Sequence, residues 1–441
     1  MKRREILLPE TVAAAKHIVR ATLSNPAGGR VSGILCGIFL PERLTDPIKF
    51  QFQPTPAQAN RVNFTRVATN AFELAFTATT RFGGKATKFS AQRVWCTSVA
   101  SGHHSGIQFV SDFTGEPSDL TITHRGLMKG SRPRGTFSLT PCKLINTAMI
   151  VTSSYTGAVR VRHISKPRFS LGNGSRLVFT KHFRHLKSQS GGTISLSELA
   201  AEFESGRRDI SVVSADLDDF LLLTSLAARH RCVCLEWTHI NSRGDLTIHY
   251  RRDIALPKDR SASLNDTLIG INEFPKFIRT AYRRFKKFRE KEQFRSAIYP
   301  LVNDAEMTTE MSYFGLFSGL ESALLFADRT LKLFPAGHQT ILTRWRLFQS
   351  RFHIDVSDLW PLTDPTGGVT LAQLRNRVAH GEYLNPAQTL ALMYAKEHLR
   401  WITERVMLTL LGWPIDRSKI EPRALRLTSP HMNWRTSRAA F

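Results

Sequence analysis

Short runs in which apolar and polar residues alternate fill the first half of the chain, at 34–40, 48–52, 62–76, 106–110, 120–123, 137–140 and 159–164, with Gly, Pro, Ser and Asp clusters between them. Alternation with a period of two puts every second side chain on one face of a strand, so these runs predict a β-rich domain, either a sandwich or a barrel-like assembly. Residues 195–203 and 216–229 read as helices, and 233–238, a turn at 241–245 and 246–250 read as a β-hairpin. Past residue 307 the period becomes that of a helix. Along 308–334, Tyr313, Phe314, Phe317, Leu320, Leu324 and Leu325 share one stripe. A second helical stretch at 338–352 leads into a loop at 355–368 rich in Asp, Pro and Gly. A short helix then runs from Thr370, as N-cap, to a terminating Gly381. A long helix follows Pro386 and carries Leu390, Met393, Tyr394, Trp401, Val406 and Leu410 toward Gly412. Four helices in about 110 residues suit one small bundle. The fold class is therefore α+β, a β-rich N-terminal domain followed by a C-terminal α-helical bundle.

Between these parts lies a segment of distinctive charge. From Lys276 to Arg295 there are nine basic residues and two acidic ones, while Phe277, Ala281, Tyr282, Phe285 and Phe288 keep to one stripe. One amphipathic helix with a basic outer face is expected over 275–300, its aromatics acting as core anchors. The chain thus divides into a β-rich sensor or regulatory domain at 1–265, a basic connecting helix at 266–300 and a helical domain at 301–441. The basic face is either an RNA-contacting or partner-contacting surface or a merely solvated one. Arg279, Arg283, Arg284, Lys286 and Lys287 on it, with Arg377 further on, are the candidate RNA contacts. The basic tail, with Arg417, Lys419, Arg423, Arg426, Arg435 and Arg438, either adds phosphate contacts or has no fixed structure.

Composition narrows the partners. The chain has 441 residues, 42% of them hydrophobic, enough for two or more cores, and a formal net charge of +25. With a pI near 10.4 its field favours polyanions, RNA before DNA, anionic membrane surfaces or an acidic protein. Cys36, Cys96, Cys142, Cys232 and Cys234 are odd in number and scattered through apolar runs, which suggests reduced buried thiols and a cytoplasmic protein. Alternation puts Cys232 and Cys234 on one strand face, and further ligands at zinc-like spacing are not evident, so neither a metal nor another cofactor is expected. The N-terminus has no sustained apolar core of a signal peptide, and no stretch approaches the ~18 apolar residues of a membrane span. There is no periodic repeat, no Gly-rich phosphate loop and no nucleophile elbow. His103 and His104 read as exposed loop residues, and Tyr383 as a loop tyrosine packed at a helix end.

The chemistry-bearing feature is the run Leu374, Arg375, Asn376, Arg377, Val378, Ala379, His380, Gly381 in the short helix. With Leu371, Leu374 and Val378 toward a core, Asn376 and His380 point away from it one turn apart, and the stem of Arg375 can bring its guanidinium to the same place. Glu321 falls within the apolar stripe of the 308–334 helix, and a buried carboxylate needs a partner. Arg375 is the expected one.

The order Arg375, Asn376, three residues, His380 resembles the motif of the HEPN superfamily, helical domains many of which are metal-independent endoribonucleases. The resemblance covers the last third of the chain, from about residue 301. It makes the C-terminal part a HEPN bundle and gives Glu321 the place of the acidic residue that often contacts the motif arginine. A β-rich N-terminal half before such a bundle is similar to the ApeA-like group, associated with bacterial defence against phage. The run Gly33, Ile34, Leu35, Cys36, Gly37, Ile38, Phe39, Leu40, Pro41 resembles that group's opening strand. The resemblance implies attack of a ribose 2′-hydroxyl on the adjacent phosphate, leaving a 2′,3′-cyclic phosphate and a 5′-hydroxyl. Arg375, Asn376 and His380 would be the catalytic residues, with Glu321 in support. Imidazole suits the proton transfers because both its forms coexist near neutrality. One histidine is few for both acid and base, so a homodimer with a composite site is expected, acting on RNA, with tRNA among the candidates, under a phage-derived trigger. A HEPN module that binds RNA or a partner without cutting, and a DNA-directed activity, remain as alternatives.

Overall fold

A computed structural model describes residues 19–24, 30–39, 49–54, 74–82, 85–104, 107–130, 133–145, 149–153, 159–163, 166–172, 175–187, 193–204, 210–251, 267–289, 291–302, 307–330, 332, 340–364, 368–423, 425 and 434–441. The chain forms two compact units. One holds 1–141, 146–214 and 233–256, and the other holds 142–145, 215–232 and 257–441. The class is α+β, an antiparallel β unit followed by a helical region.

The β unit contains β1 (Val19–Ser24), β2 (Arg30–Phe39), β3 (Lys49–Pro54), β4 (Leu74–Phe82), β5 (Lys85–His104), β6 (Ile107–His124), β7 (Arg134–Leu139), β8 (Met149–Ser153), β9 (Val159–His163), β10 (Arg168–Gly172), β11 (Ser175–Lys187), β12 (Thr193–Glu204), β13 (Cys234–Ile240) and β14 (Leu246–Arg251). Twelve strands make one sheet in the order β10-β11-β12-β7-β13-β14-β6-β3-β2-β1-β4-β5, and β8 pairs with β9. Because β5 also pairs with β6, the strands β1-β2-β3-β6-β5-β4 close on themselves, giving the barrel-like option. Register shifts at Leu35/Gly37, Leu74/Phe76 and Cys96/Ser98 supply the local bends that closing a sheet requires.

The long strand β6 belongs to both the ring and the open arm. Its Leu120, Ile122 and His124 are buried and stand opposite Ala91, Phe89 and Thr87 of β5 on one side and Tyr250, Ile248 and Leu246 of β14 on the other. The period-two pattern becomes a continuous inner layer across three strands.

Three expectations change here. The runs 106–110 and 120–123 are parts of one strand, and His103 and His104 end β5 opposite Gln108 and Ile107, not in a loop. Residues 195–203 lie in β12, not in a helix. That strand sits between β11 and β7, and Leu199, Ala200 and Ala201 are buried in succession. Burial on both faces erases the alternation that marks a strand, so the apolar run cannot be told from a helix by period. The run 62–76 lies outside the described residues as far as 73.

The helices are α1 (Ile210–Ala228), α2 (Phe274–Phe285), α3 (Lys291–Val302), α4 (Thr309–Arg329), α5 (Ile341–Phe352), α6 (Leu371–Ala379), α7 (Pro386–Leu410) and α8 (Trp434–Arg438). The single helix expected at 275–300 is two, α2 and α3, and both belong to the helical unit. Tight turns from Lys287 and Phe288 back to Arg284 and Phe285 end α2. The turn lets Phe288 join Phe285, Phe294 and Phe326, with ring centroids 4.8 to 5.8 Å apart. An aromatic cluster of this kind outweighs the modest gain of a few further helical hydrogen bonds. The predicted stripe of Phe277, Ala281, Tyr282, Phe285 and Phe288 is buried throughout. Helices α3 and α4 approach closely at Gly319, where a Cβ would stand 3.2 Å from the Ala297 carbonyl oxygen and 3.3 Å from Pro300 Cγ. No helix among the described residues is long and apolar enough to cross a membrane.

Candidate active site

Helix α6 carries the Arg375, Asn376, His380 motif, and both of its ends are built as its sequence suggests. Thr370 Oγ1 accepts the Gln373 N–H at 3.2 Å while Gln373 Oε1 accepts the Thr370 N–H at 2.8 Å, a reciprocal capping box worth about 1 kcal/mol. At the other end His380 is the C-cap and Gly381 has φ +68°. Gly381 N–H donates to the Val378 carbonyl at 3.1 Å and Glu382 N–H to that of Arg377 at 3.2 Å, the paired bonds of a Schellman ending.

The surroundings hold the helix at several points. Leu371 and Leu374 are buried, Tyr313 of α4 donates its hydroxyl to the Leu371 carbonyl at 2.6 Å, and Trp360 Nε1 donates to the Val369 carbonyl at 2.9 Å. Burial pushes the Tyr313 phenol well above its ordinary pKa, so it stays a donor. From the basic tail, Arg438 donates to the carbonyls of Val369 and Asp364 at 2.8 and 3.0 Å and to that of Gly368. This tail arginine therefore clamps the loop before the motif.

Asn376 and His380 are exposed on the same stripe, with the His380 N–H bonded to the Asn376 carbonyl at 3.0 Å. Arg375 is half-buried and donates to Asn376 Oδ1 at 3.3 Å. Its guanidinium lies 5.3 Å from the ring centroid of Phe314 and 5.9 Å from that of Phe317. Arg375 and Glu321 form no ion pair among the described residues, contrary to the expectation. The guanidinium rests instead on the aromatic faces of Phe314 and Phe317, nearer the start of α4, and Glu321 is only half-buried, so its charge does not require a protein partner. No side-chain hydrogen bond orients the His380 imidazole among the described residues.

Phe314, Leu390 and Met393 were expected on buried stripes and are 37%, 51% and 46% exposed, and Tyr383, expected to pack at the helix end, is 88% exposed. Met311, one turn before Phe314, is 57% exposed. A period of 3.6 identifies a stripe but not where the packing partner ends, so these positions could not be told from core in the sequence.

The candidate RNA contacts divide by what they touch. Arg279, Arg283, Arg284, Lys286 and Lys287 are exposed. Lys286 nevertheless pairs with Asp216 and lies 3.6 Å from Asp219, which also receives Lys291 at 3.1 Å and Arg295 at 2.5 Å. Arg284 Nε donates to the Leu410 carbonyl at 2.7 Å, and Arg279 Nε to the Pro275 carbonyl at 2.9 Å. Arg377 lies 3.6 Å from Glu382 and 5.8 Å from the ring centroid of Phe441. Much of the positive charge of this segment thus neutralises buried carboxylates or ends a helix, leaving Arg283, Lys287 and Arg289 as outward charges among the described residues.

A second cluster was not foreseen. Cys142, His230 and Cys232 bring two sulfurs and an imidazole nitrogen within 4.8 Å of one another. Cys234 does not take part: it belongs to the β unit, and its sulfur lies 3.3 Å from the Glu236 carbonyl. Only the His-x-Cys pair of His230 and Cys232 is visible in the sequence. The third member, Cys142, is far away along the chain and no spacing rule reaches it.

No protein-family model, curated protein or solved structure matches this chain.

Proposed function

We propose that the helical unit is a metal-independent endoribonuclease of the HEPN type, acting at Arg375, Asn376 and His380. The observation that carries this reading is the stripe itself, an exposed imidazole and an exposed carboxamide one turn apart with a guanidinium bonded to the carboxamide, at the end of a helix fixed at both termini. In the reaction the 2′-hydroxyl oxygen attacks phosphorus as its proton leaves, and the 5′-oxygen departs with a proton, giving a cyclic phosphate and a 5′-hydroxyl. His380 moves one of these protons, Arg375 stabilises the charge gathered on the phosphorane oxygens, and Asn376 orients the phosphate. Seated on two aromatic rings, the Arg375 fork is directed before substrate arrives, which lowers the entropy lost on binding.

One histidine supplies one proton carrier, so the second comes from a second copy, and the functional form is a homodimer with a composite site. Met311, Phe314, Tyr383, Leu390 and Met393 support this, since large apolar side chains exposed on the helical unit are what an interface covers. The substrate is RNA, with tRNA among the candidates, and the setting is defence against phage with a phage-derived trigger, read from the resemblance alone. Sedimentation tests the dimer: a monomer that still cuts RNA refutes the composite site.

A non-catalytic RNA-binding or partner-binding module is the second reading, favoured by the His380 ring having no orienting hydrogen bond among the described residues. Analysis of RNA ends separates the two, because binding alone leaves no cyclic phosphate. A 2′-deoxy substitution at the scissile position stops the proposed reaction and leaves a DNA-directed activity untouched.

A further inference from the structure

Cys142, His230 and Cys232 all belong to the helical unit, Cys142 on the short segment 142–145 and the other two just past the end of α1. Both cysteines are buried, 8% and 3% exposed. The Cys232 sulfur lies 3.6 Å from His230 Nε2. Zn–S and Zn–N bonds of about 2.3 and 2.0 Å at a tetrahedral angle require a sulfur-to-nitrogen separation of about 3.5 Å. The pair therefore already stands at the edge length of a zinc tetrahedron.

The groups behind the ligands point the same way. His230 Nδ1 lies 3.1 Å from the Ala228 carbonyl, and since a carbonyl only accepts, Nδ1 carries the ring proton and Nε2 presents its lone pair to the cluster. Zinc-bound imidazoles are oriented by this arrangement. The platform is firm. Ser225 Oγ accepts the Cys232 N–H at 2.8 Å, and Arg229, in the left-handed region at φ 55°, forms a two-point ion pair with buried Glu404 at 2.8 and 2.5 Å.

We infer that Cys142, His230 and Cys232 bind one Zn(II) ion, with a water or another exogenous donor in the fourth position. Binding deprotonates the two thiols and releases two protons. The ion ties the 142–145 segment to the turn after α1, closing a long loop of chain, and so acts as a staple of the helical unit apart from the motif on α6.

The test measures zinc in the untagged full-length protein after dialysis against a weak competing chelator, for wild type and for Cys142→Ser, Cys232→Ser, His230→Ala, His230→Cys and Cys234→Ser, with circular dichroism on each. The expected result is about one zinc per chain in wild type, His230→Cys and Cys234→Ser, and loss of most of it in the other three. Retention in His230→Cys separates lost ligation from failed folding, because it restores a ligand without restoring the imidazole. Cobalt added to the metal-free wild type should give thiolate-to-metal charge-transfer absorption that Cys142→Ser weakens. Wild type that neither holds zinc nor takes up cobalt overturns the inference, as does a Cys142–Cys232 disulfide in the native protein or equal zinc loss in Cys234→Ser.

Discussion

Replacing Arg405 with methionine should destabilise the helical unit by about 4 kcal/mol, because breaking one side of a buried ion pair costs ~3–5 kcal/mol. Arg405, on α7, is fully buried. Its five N–H groups all have acceptors: Asp358 Oδ1 and Oδ2, each at 3.0 Å, the Asp355 carbonyl at 2.6 Å, and the Ile420 carbonyl from Nε at 3.2 Å and Nη2 at 2.8 Å. Methionine fills a similar volume, so little of the loss comes from a cavity. The cost comes from Asp358, whose side chain is 6% exposed and would keep a charge without its partner. A second substitution, Asp358→Asn, removes that charge, so the double variant should recover about 2 kcal/mol relative to the sum of the single ones. Urea unfolding of the four proteins, followed by tryptophan fluorescence, measures this coupling. The single variant should also melt about 8–16 °C lower, taking ~2–4 °C per kcal/mol for a unit of this size. Because 355–358 opens the loop that delivers Thr370, hydrogen exchange should rise along 355–374 in Arg405→Met. A single variant within about 1 kcal/mol of wild type, or strictly additive effects, would refute the view that this pair anchors the loop.

Two further predictions concern the motif helix and the β unit. Gly381→Ala should cost about 1–2 kcal/mol in thermal or urea unfolding, because a Cβ meets nothing within 4 Å and the penalty is purely that of φ +68°, while Gly381→Asn should cost less. Equal stability of all three would contradict the assigned helix ending. His124, buried with Nδ1 2.9 Å from Thr87 Oγ1, has its pKa lowered from 6.5 by burial, so the folded protein keeps it neutral where the unfolded chain takes a proton. Its contribution is complete above 6.5 and is lost as pH falls from there toward the folded value. Melting temperature should therefore drop on acidification below that point, and His124→Gln should flatten the drop; an unchanged slope would show that another group controls it.

What could be read from the chain follows the range of each interaction. The limits of α6 were legible because Thr370, Gln373 and Gly381 act on their own backbone neighbours. The hairpin of β13 and β14 was legible for the same reason, its turn being closed locally by Asn241 and Asp245. Interactions that depend on a distant element were not. Strand β12 looked helical because both of its faces are buried along 199–201, α2 and α3 looked continuous because Phe326 is needed to see why Phe288 turns, and Glu321 looked like the partner of Arg375 because the aromatic seat of Phe314 and Phe317 exists only once α4 and α6 pack. Cys142 completes a ligand set whose other members are a His-x-Cys pair, and no local pattern announces it.

The central claim is that Arg375 and His380 cut RNA without a catalytic metal. Wild type, Arg375→Ala and His380→Ala should be incubated with total cellular RNA in EDTA, after circular dichroism has shown that the chelator leaves each protein folded, and the RNA ends then analysed. The account predicts fragments with 2′,3′-cyclic phosphate and 5′-hydroxyl ends from wild type alone. Equal cleavage by all three proteins, or RNA bound by folded wild-type dimer and left without cyclic-phosphate ends, would contradict it.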